Sequence, residues 1–260
     1  MISRRRFILG LIGAGIGGPA LKLWASDTPF PEACRLHSVR IPAPSGWTGK
    51  TALFVTDIHY DNFFGPAEAD ALNAIVRQHA PDLVLMGGDL AQTPRTDLSE
   101  FLSRWSPGCP TLFAPGNHDT DREPAGFVLR QAAEGGMAVL CNAAESWNGI
   151  TFIGLPSALK MKQRKSLLRA PGLKVVLGHE PDMWDRYHQP DLLHLAGHTH
   201  GGQIRLFGRP LSLPTLGCKY PLGVFSRERN STLIVSAGIG CVDVHARVNC
   251  PPEIVRLQFS

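Results

Sequence analysis

An α/β fold whose strands are buried on both faces is the architecture this sequence predicts, on three observations. Short, unbroken apolar runs recur along the chain, as strands covered on both faces require. The early runs alternate with segments of helical spacing, whereas the later ones follow one another with little helix between. Asp, Asn and His residues stand directly after five of the runs, where ligands gather in such folds.

The first run is "TALFVT" at 51–56. Residues 66–80, "PAEADALNAIVRQHA", carry apolar side chains at helical spacing, with Pro66 suited to a first turn. "DLVLMGGD" at 82–89 is a second buried strand running into glycines, and "TLFAPGNHD" at 111–119 a third. A helix is expected around 125–135, then strands in "MAVLCN" (137–142) and "ITFIGL" (150–155). Further strands are expected in "KVVLGHE" (174–180), "LLHLAGHTH" (192–200), "STLIVSAG" (231–238) and "EIVRLQF" (253–259). The proline-rich stretch 28–50 reads as an extended lead-in, and no internal repeat is present. With 43% hydrophobic and 18% charged residues in 260, the chain has an ordinary globular balance and can bury a substantial core.

Residues 1–25 stand apart from this pattern. Arg4, Arg5 and Arg6 lead into an apolar stretch at 7–20 that five glycines and Pro19 interrupt. It falls short of the ~20 strongly apolar residues that a membrane-spanning helix needs. Ser3-Arg4-Arg5-Arg6-Phe7-Ile8-Leu9 resembles a twin-arginine export signal. Residues 1–25 are therefore read as a twin-arginine signal peptide, cleaved after Ala25, or a retained N-terminal anchor; residues 26–260 read as one domain, with the lead-in at 26–50. The resemblance implies export of the folded protein by the twin-arginine machinery, to the periplasm or the outer face of the bacterial inner membrane.

The formal charge of +4 comes from Arg4, Arg5, Arg6 and Lys22, because 1–25 hold no acid; residues 26–260 are neutral overall. A basic nucleic-acid-binding face is therefore not expected, and no nucleic acid is expected as a partner. The six cysteines are scattered without a C-x-x-C pair, which argues against a zinc knuckle or a thioredoxin motif. An oxidising compartment would permit disulfides, with Cys241 and Cys250 the pair nearest in sequence.

Each chemically loaded motif has an ordinary reading by itself. Asp57-Ile58-His59 puts two donors on one side of an extended segment, because side chains alternate with period 2. Gly87-Gly88-Asp89 and Gly116-Asn117-His118-Asp119 could each close a strand with a turn, and His179 could sit satisfied in a core. His198 and His200, within "LAGHTHGGQ", are the strongest single piece. In combination, the ordered set D-x-H, G-D, G-N-H-D, G-H and G-H-x-H resembles the signature of the calcineurin-like metallophosphoesterases. The chain as a whole is similar to the YkuE/YaeI-type branch of that superfamily.

That resemblance implies a four-layer α/β/β/α sandwich with a metal site at the carboxyl ends of the strands. It implies two divalent metal ions (Mn, Fe, Zn or Co), with Asp57, His59 and His200 on the first, Asn117, His179 and His198 on the second, and Asp89 bridging both. His118 would donate a proton to the leaving group or polarise a phosphoryl oxygen, and Asp119 beside it would orient it. A bridging carboxylate, neutral imidazoles and an amide oxygen are donors that suit a two-cation hydrolytic centre. Glycines such as Gly197, Gly201 and Gly202 are expected where backbone crowds the metals and the phosphate.

The expected reaction is hydrolysis of a phosphodiester or pyrophosphate in a phosphorylated small molecule or lipid-linked substrate. Export favours an envelope lipid or a cell-wall phosphoester. The resemblance also admits a UDP-2,3-diacylglucosamine-type pyrophosphatase of lipid A synthesis, a cytoplasmic-facing step. A non-catalytic scaffold on the same fold would have lost ligands or the donor histidine, and every one of those positions is intact here. Two segments stay open. "LKMKQRKSLLR" at 159–169 reads as a basic amphipathic flap against an anionic lipid or the inner-membrane surface, or as the solvated face of a charged helix. "GCKYPLGVF" at 217–225 brings Lys219 and Tyr220 to substrate, or simply packs Tyr220.

Overall fold

The computed structural model describes residues 30–120, 126–227 and 229–260. The leader read at 1–25 lies outside them. Strands β1 (Arg35–Ile41), β2 (Thr51–Val55), β3 (Leu83–Met86), β4 (Thr111–Phe113), β5 (Ala138–Val139) and β14 (Glu253–Phe259) form one sheet, ordered β1-β14-β2-β3-β4-β5. Within it β2, β3, β4 and β5 are parallel, β14 runs antiparallel to β2, and β1 is parallel to β14. The second sheet comprises β6 (Ala143–Trp147), β7 (Ile150–Leu155), β8 (Leu173–Gly178), β9 (Leu192–Ala196), β12 (Gly223–Arg227) and β13 (Ser231–Val235), ordered β12-β13-β9-β8-β7-β6. Its four inner strands are parallel and its two edges antiparallel. A small hairpin of β10 (Arg205–Leu206) and β11 (Arg209–Pro210) follows β9.

The continuous apolar runs are explained by what covers each face. Phe54, Leu83, Leu85 and Leu112 of the first sheet meet Phe152, Val175, Leu177, Leu193 and Leu195 of the second, which makes the central layer contact. The alternate side chains, Leu53, Val55, Val84, Met86 and Phe113, face helices α1 (Pro66–His79), α2 (Ser99–Arg104) and α3 (Phe127–Glu134). Helix α1 starts where Glu68 reaches back to the Gly65 N–H (2.8 Å) and Pro66 presets the first turn. It ends at Ala80, whose φ of 40° breaks the helical repeat. Its buried stripe of Ala69, Leu72 and Val76 follows helical spacing, and the two larger side chains contribute about 1.5–3 kcal/mol each by leaving water.

On the far face of the second sheet, Ile153, Leu155, Val176, Ala196, Leu233 and Val235 pack under Met183, Trp184 and Tyr187. This cover is a four-residue helix, α4 (Trp184–Tyr187), with short 3-10 turns. The fourth layer of the sandwich is thus much thinner than the first.

The sequence pattern misses the two-residue strands β10 and β11 of the hairpin, and three strands of the two large sheets. β1 lies inside the stretch read as an extended lead-in, and β6 and β12 had no apolar run to announce them. All three are sheet edges with alternating or mostly exposed side chains. An edge strand is half solvated, so its hydrophobic pattern is thin while its backbone bonds to the neighbour still form. The six-residue helix α2 was missed as well. The basic segment 159–169 is not a helix face. It is a loop ending in a 3-10 turn, Lys165–Arg169, because side-chain bonds hold its backbone away from helical geometry. The six cysteines carry no disulfide. Among the described residues, no helix is long and apolar enough to cross a membrane.

Candidate metal centre

Every motif residue lies just past the carboxyl end of a strand. Asp57 and His59 follow β2, Asp89 follows β3, Asn117 and His118 follow β4, His179 follows β8, and His198 and His200 follow β9. The period-2 reading of Asp57 and His59 does not hold, because β2 stops at Val55. Both residues have left-handed backbone, φ 55° and 52°, and so do Asp89 (52°), His198 (67°) and His200 (50°). Such a conformation costs an L-residue about 1–2 kcal/mol. Backbone bonds hold it: Asp57 N–H donates to Gly88 C=O (3.0 Å), His59 to Asp89 (2.9 Å) and Tyr60 to Leu90 (2.9 Å). Asn117, where a turn reading would put positive φ, has none.

Side chains from the two sheets converge in three overlapping donor groups. Asp57, His59 and His200 form one, with His200 Nε2 3.3 Å from Asp57 Oδ1 and 3.1 Å from His59 Nε2. Asp89, His179 and His198 form a second, and His59, Asp89 and His118 a third. Asp89 Oδ2 lies 3.0 Å from His179 Nε2 and 3.7 Å from His59 Nε2, so this carboxylate stands between the first two groups. The six residues of those two groups are buried, Asp57 completely. His179 Nε2 is close to Asp89 but off the angle of a hydrogen bond, and Asn117 Oδ1 is buried with no partner at all. Unsatisfied polar atoms at this depth are expensive unless something else is ligated. The residues present therefore fit divalent cations.

In His59, His179 and His198 the second ring nitrogen is tied down, which selects the ligating atom, whereas His200 Nδ1 is buried without a partner. His59 Nδ1 donates to Gln92 Oε1 (3.0 Å) and His179 Nδ1 to Gly87 C=O (2.9 Å), leaving both Nε2 atoms for a metal. His198 uses Nε2 on Thr215 C=O (2.8 Å) and is left with Nδ1. His118 belongs to the third group alone, its ring edge-on to His59 at 4.7 Å. Its backbone N–H donates to Asp89 Oδ1 (2.9 Å), and its Nδ1 donates to Gln92 C=O (2.8 Å). Asp119 does not meet this ring. Its carboxylate accepts from the backbone N–H groups of Asp89 (2.8 Å), Ala91 (2.9 Å) and Gly116 (2.8 Å). Asp119 therefore shapes the turn carrying Asp89, and the orienting part foreseen for it falls to the Gln92 carbonyl.

Glycine is required where backbone touches a ligand carboxylate. A Cβ on Gly116 would lie 2.1 Å from Asp89 Oδ1, and one on Gly197 would lie 2.1 Å from Asp57 Oδ2. Gly201 and Gly202 instead crowd Cys250 and Pro210, so the reason foreseen for them applies to Gly197 alone.

Burial and charge set the protonation of the cluster. Burial pushes Asp57 up to about 6, holds His59 down at about 4, and lowers His198 and His200 as well. Burial also opposes the charge on Asp89, but His179 and the other histidines outweigh it and hold that carboxyl well below its usual range. The same Asp89 contact raises His179 well above an ordinary imidazole, against burial. Asp119 is pushed up to about 7 by burial and then by the Asp89 charge. Cation binding at His179 Nε2 must displace a proton, so affinity there rises with pH.

Three supports escaped the motif reading. Gln92 orients both His59 and His118 from a loop with no recognisable pattern. Thr56 donates to Asp57 Oδ2 (3.0 Å), opposite the His198 N–H (3.0 Å to Oδ1). Arg247, fully buried, donates to the carbonyls of Ala237, Gly238, Gly240 and Cys250. It thereby secures the turn whose Gly240 N–H donates to Asp57 C=O (2.8 Å). No local signal distinguishes this arginine from a surface one. Tyr220 packs against Trp184 and Phe225, and Lys219 is paired with Asp185. In this structure the pair 219–220 is therefore part of the second sheet's cover.

Residues 50–202 match the model of the calcineurin-like phosphoesterase family. This chain belongs to that family. It is 29% identical to the phosphodiesterase YaeI of Escherichia coli over 80% of this chain and 81% of that protein. It is 28% identical to the uncharacterized protein YpbG of Bacillus subtilis over 95% and 94%, and 25% identical to the uncharacterized metallophosphoesterase YkuE of the same organism over 97% and 96%. The family, these homologues and the donor set make the chain a metal-dependent phosphoesterase, a hydrolase of the mixed α/β sandwich fold.

Proposed function

We propose that this phosphoesterase uses two divalent cations, of Mn, Fe, Zn or Co, to hydrolyse a phosphodiester or pyrophosphate of the bacterial envelope, in a phosphorylated small molecule or a lipid-linked substrate. The observation that carries the reading is the set of overlapping donor groups, two of which contain Asp89, with Asn117 Oδ1 unsatisfied beside them. Asp57, His59 and His200 would hold one cation, Asn117, His179 and His198 the other, and Asp89 both. Such a pair, when bound, supplies an activated water and counter-charge for the phosphoryl oxygens. The chain does the rest. Gln92 keeps the His118 Nδ1 proton on its carbonyl, so Nε2 is the atom that passes a proton to the departing oxygen. Burial excludes bulk water from the ligand carboxylates. The name of YaeI supports a phosphodiester.

The basic-apolar leader supports twin-arginine export to the periplasm or the outer membrane-facing side of the inner membrane, with the export machinery as partner and no nucleic acid bound. That direction disfavours the cytoplasmic-facing lipid A pyrophosphatase, and the intact ligand set disfavours a scaffold. The test is metal analysis of the purified full chain with assays on model diesters, monoesters and a nucleotide-lipid pyrophosphate. Two equivalents of metal and diester or pyrophosphate turnover are expected; a metal-free protein that gains nothing from added Mn would end the reading. Replacing Arg4, Arg5 and Arg6 by Lys should strand the protein in the cytoplasm, and unaltered transport would remove the export claim.

A further inference from the structure

We propose that loops 156–172 and 197–217 form a face that docks on an anionic phospholipid bilayer, with the metal centre turned toward the membrane. This rests on the envelope phosphohydrolase reading and names the surface from which that site is served. The two loops leave β7 and β9 at their carboxyl ends and flank the end of β8, where His179 sits. Together they hold seven Lys and Arg and no Asp or Glu, in a chain whose residues 26–260 are neutral overall. The rest of residues 26–260 therefore carries a net acidic balance, and Asp182, bonded to Leu216, Cys218 and Lys219, borders the second loop. None of the seven is in an ion pair among the described residues.

The first loop is held as a fixed frame for its cations. Buried Glu180, next to His179, accepts from the Ser157 hydroxyl and from Ala158 N–H (3.0 Å). Gln163 donates to Pro156 C=O (2.8 Å) and accepts from the Tyr187 hydroxyl. Asn142 binds Lys162 C=O (3.0 Å) and Arg164 N–H (2.6 Å). Lys162, Arg164, Lys165 and Arg169 are exposed on this frame, with the Lys165 ammonium 5.9 Å from the Tyr187 ring. A preformed loop loses little entropy on meeting a surface.

The same two loops also carry apolar side chains in water. Five large hydrophobics are exposed among the described residues, and three of them, Leu159 (41%), Phe207 (92%) and Leu211 (39%), lie here. Cations beside exposed apolar side chains suit the headgroup–acyl boundary of an anionic bilayer. A water-soluble polyanion such as nucleic acid would call for the cations alone. A third observation comes from the chain path. β1 is antiparallel to β2, so residue 30, packed by ring stacking on Phe64, joins the domain at the carboxyl, metal-bearing end of the first sheet. Residues 1–25, with Arg4, Arg5, Arg6 and an apolar run, precede residue 30 in the sequence.

The test is co-sedimentation of the full chain with vesicles of phosphatidylglycerol and phosphatidylcholine, against phosphatidylcholine alone and a short duplex DNA. The wild type should partition to the anionic vesicles, more weakly as salt rises. The combined change Lys162→Ala, Arg164→Ala, Lys165→Ala and Arg169→Ala should lower that partition on the order of a hundredfold. Phe207→Ser with Leu211→Ser should weaken it separately, and both variants should still hydrolyse a soluble aryl phosphodiester. Unchanged partition in both variants would place the affinity on the leader and overturn the docking face. Duplex DNA binding that anionic vesicles fail to displace would overturn it too. A wild type that binds vesicles but turns over no soluble ester would strike the phosphohydrolase reading and leave the docking face standing.

Discussion

The first sheet brings Asp57, His59, Asp89 and Asn117 to the shared rim, and the second brings His179, His198 and His200. Both carboxylates thus come from one sheet and most of the imidazoles from the other. The covers differ as well. A 14-residue helix and two shorter ones shield the first sheet, whereas a four-residue helix and short turns shield the second. Two of the three donor groups take residues from both sheets, and the third, His59, Asp89 and His118, comes from the first sheet alone. The apolar contact of Phe54 and Leu85 with Leu177 and Leu195 is therefore what assembles the site. Packing between the sheets is a condition of the chemistry.

The most severe way to break this division is at Asp89, the carboxylate facing both groups. Asp89→Asn should remove metal and activity together, by more than the about 10–100-fold typical of losing an outer hydrogen-bond partner. Metal analysis alongside turnover checks it, and a variant with full metal and rate would mean that the groups do not share this residue. His118→Ala should keep the metal and slow turnover by about 10²–10⁴-fold. Loss of metal equal to the loss of rate would make His118 a ligand.

Acid stability probes the thinly covered sheet. His194, buried beside Tyr187 on the outer side of β9, is held down at about 4 by burial, while its Nε2 donates to Gly178 C=O (2.7 Å). The unfolded chain binds a proton near pH 6.5 that the folded one refuses until about 4. Stability should therefore be complete above pH 6.5 and fall as pH drops through that window, by roughly 3 kcal/mol at most. His194→Gln should flatten that slope in denaturant titrations, and an unaltered slope would assign the acid sensitivity elsewhere. The mildest effect is expected at Gln92. Gln92→Ala should cost about 10–100-fold in metal affinity or rate, because it frees the His59 ring, while the backbone carbonyl under His118 remains. A change confined to rate with unaltered metal affinity would show that Gln92 serves the proton donor more than the ligand.

Legibility in the sequence followed burial. Strands covered on both faces, such as β3 and β8, wrote themselves as unbroken apolar runs, and so did the helical stripe of α1. The edges β1, β6 and β12 left no such mark. The motif residues were legible because chemistry restricts which side chains can serve. Their supports were not: Gln92 acts partly through its backbone carbonyl, and Arg247 acts through carbonyls more than a hundred residues from the first motif.

By itself the sequence determined which side chains would be chemical, that they would stand at strand ends, and that the strands between would be buried. Those properties are local, set by side-chain type and by two-residue and 3.6-residue periodicity. Only the tertiary structure decided how the donors group, which nitrogen of His59, His179 and His198 is left for a metal, and that Asp119 serves the backbone rather than His118. Those properties depend on the angle and distance between two packed sheets and on hydrogen-bond partners far away in the chain, which no local pattern encodes.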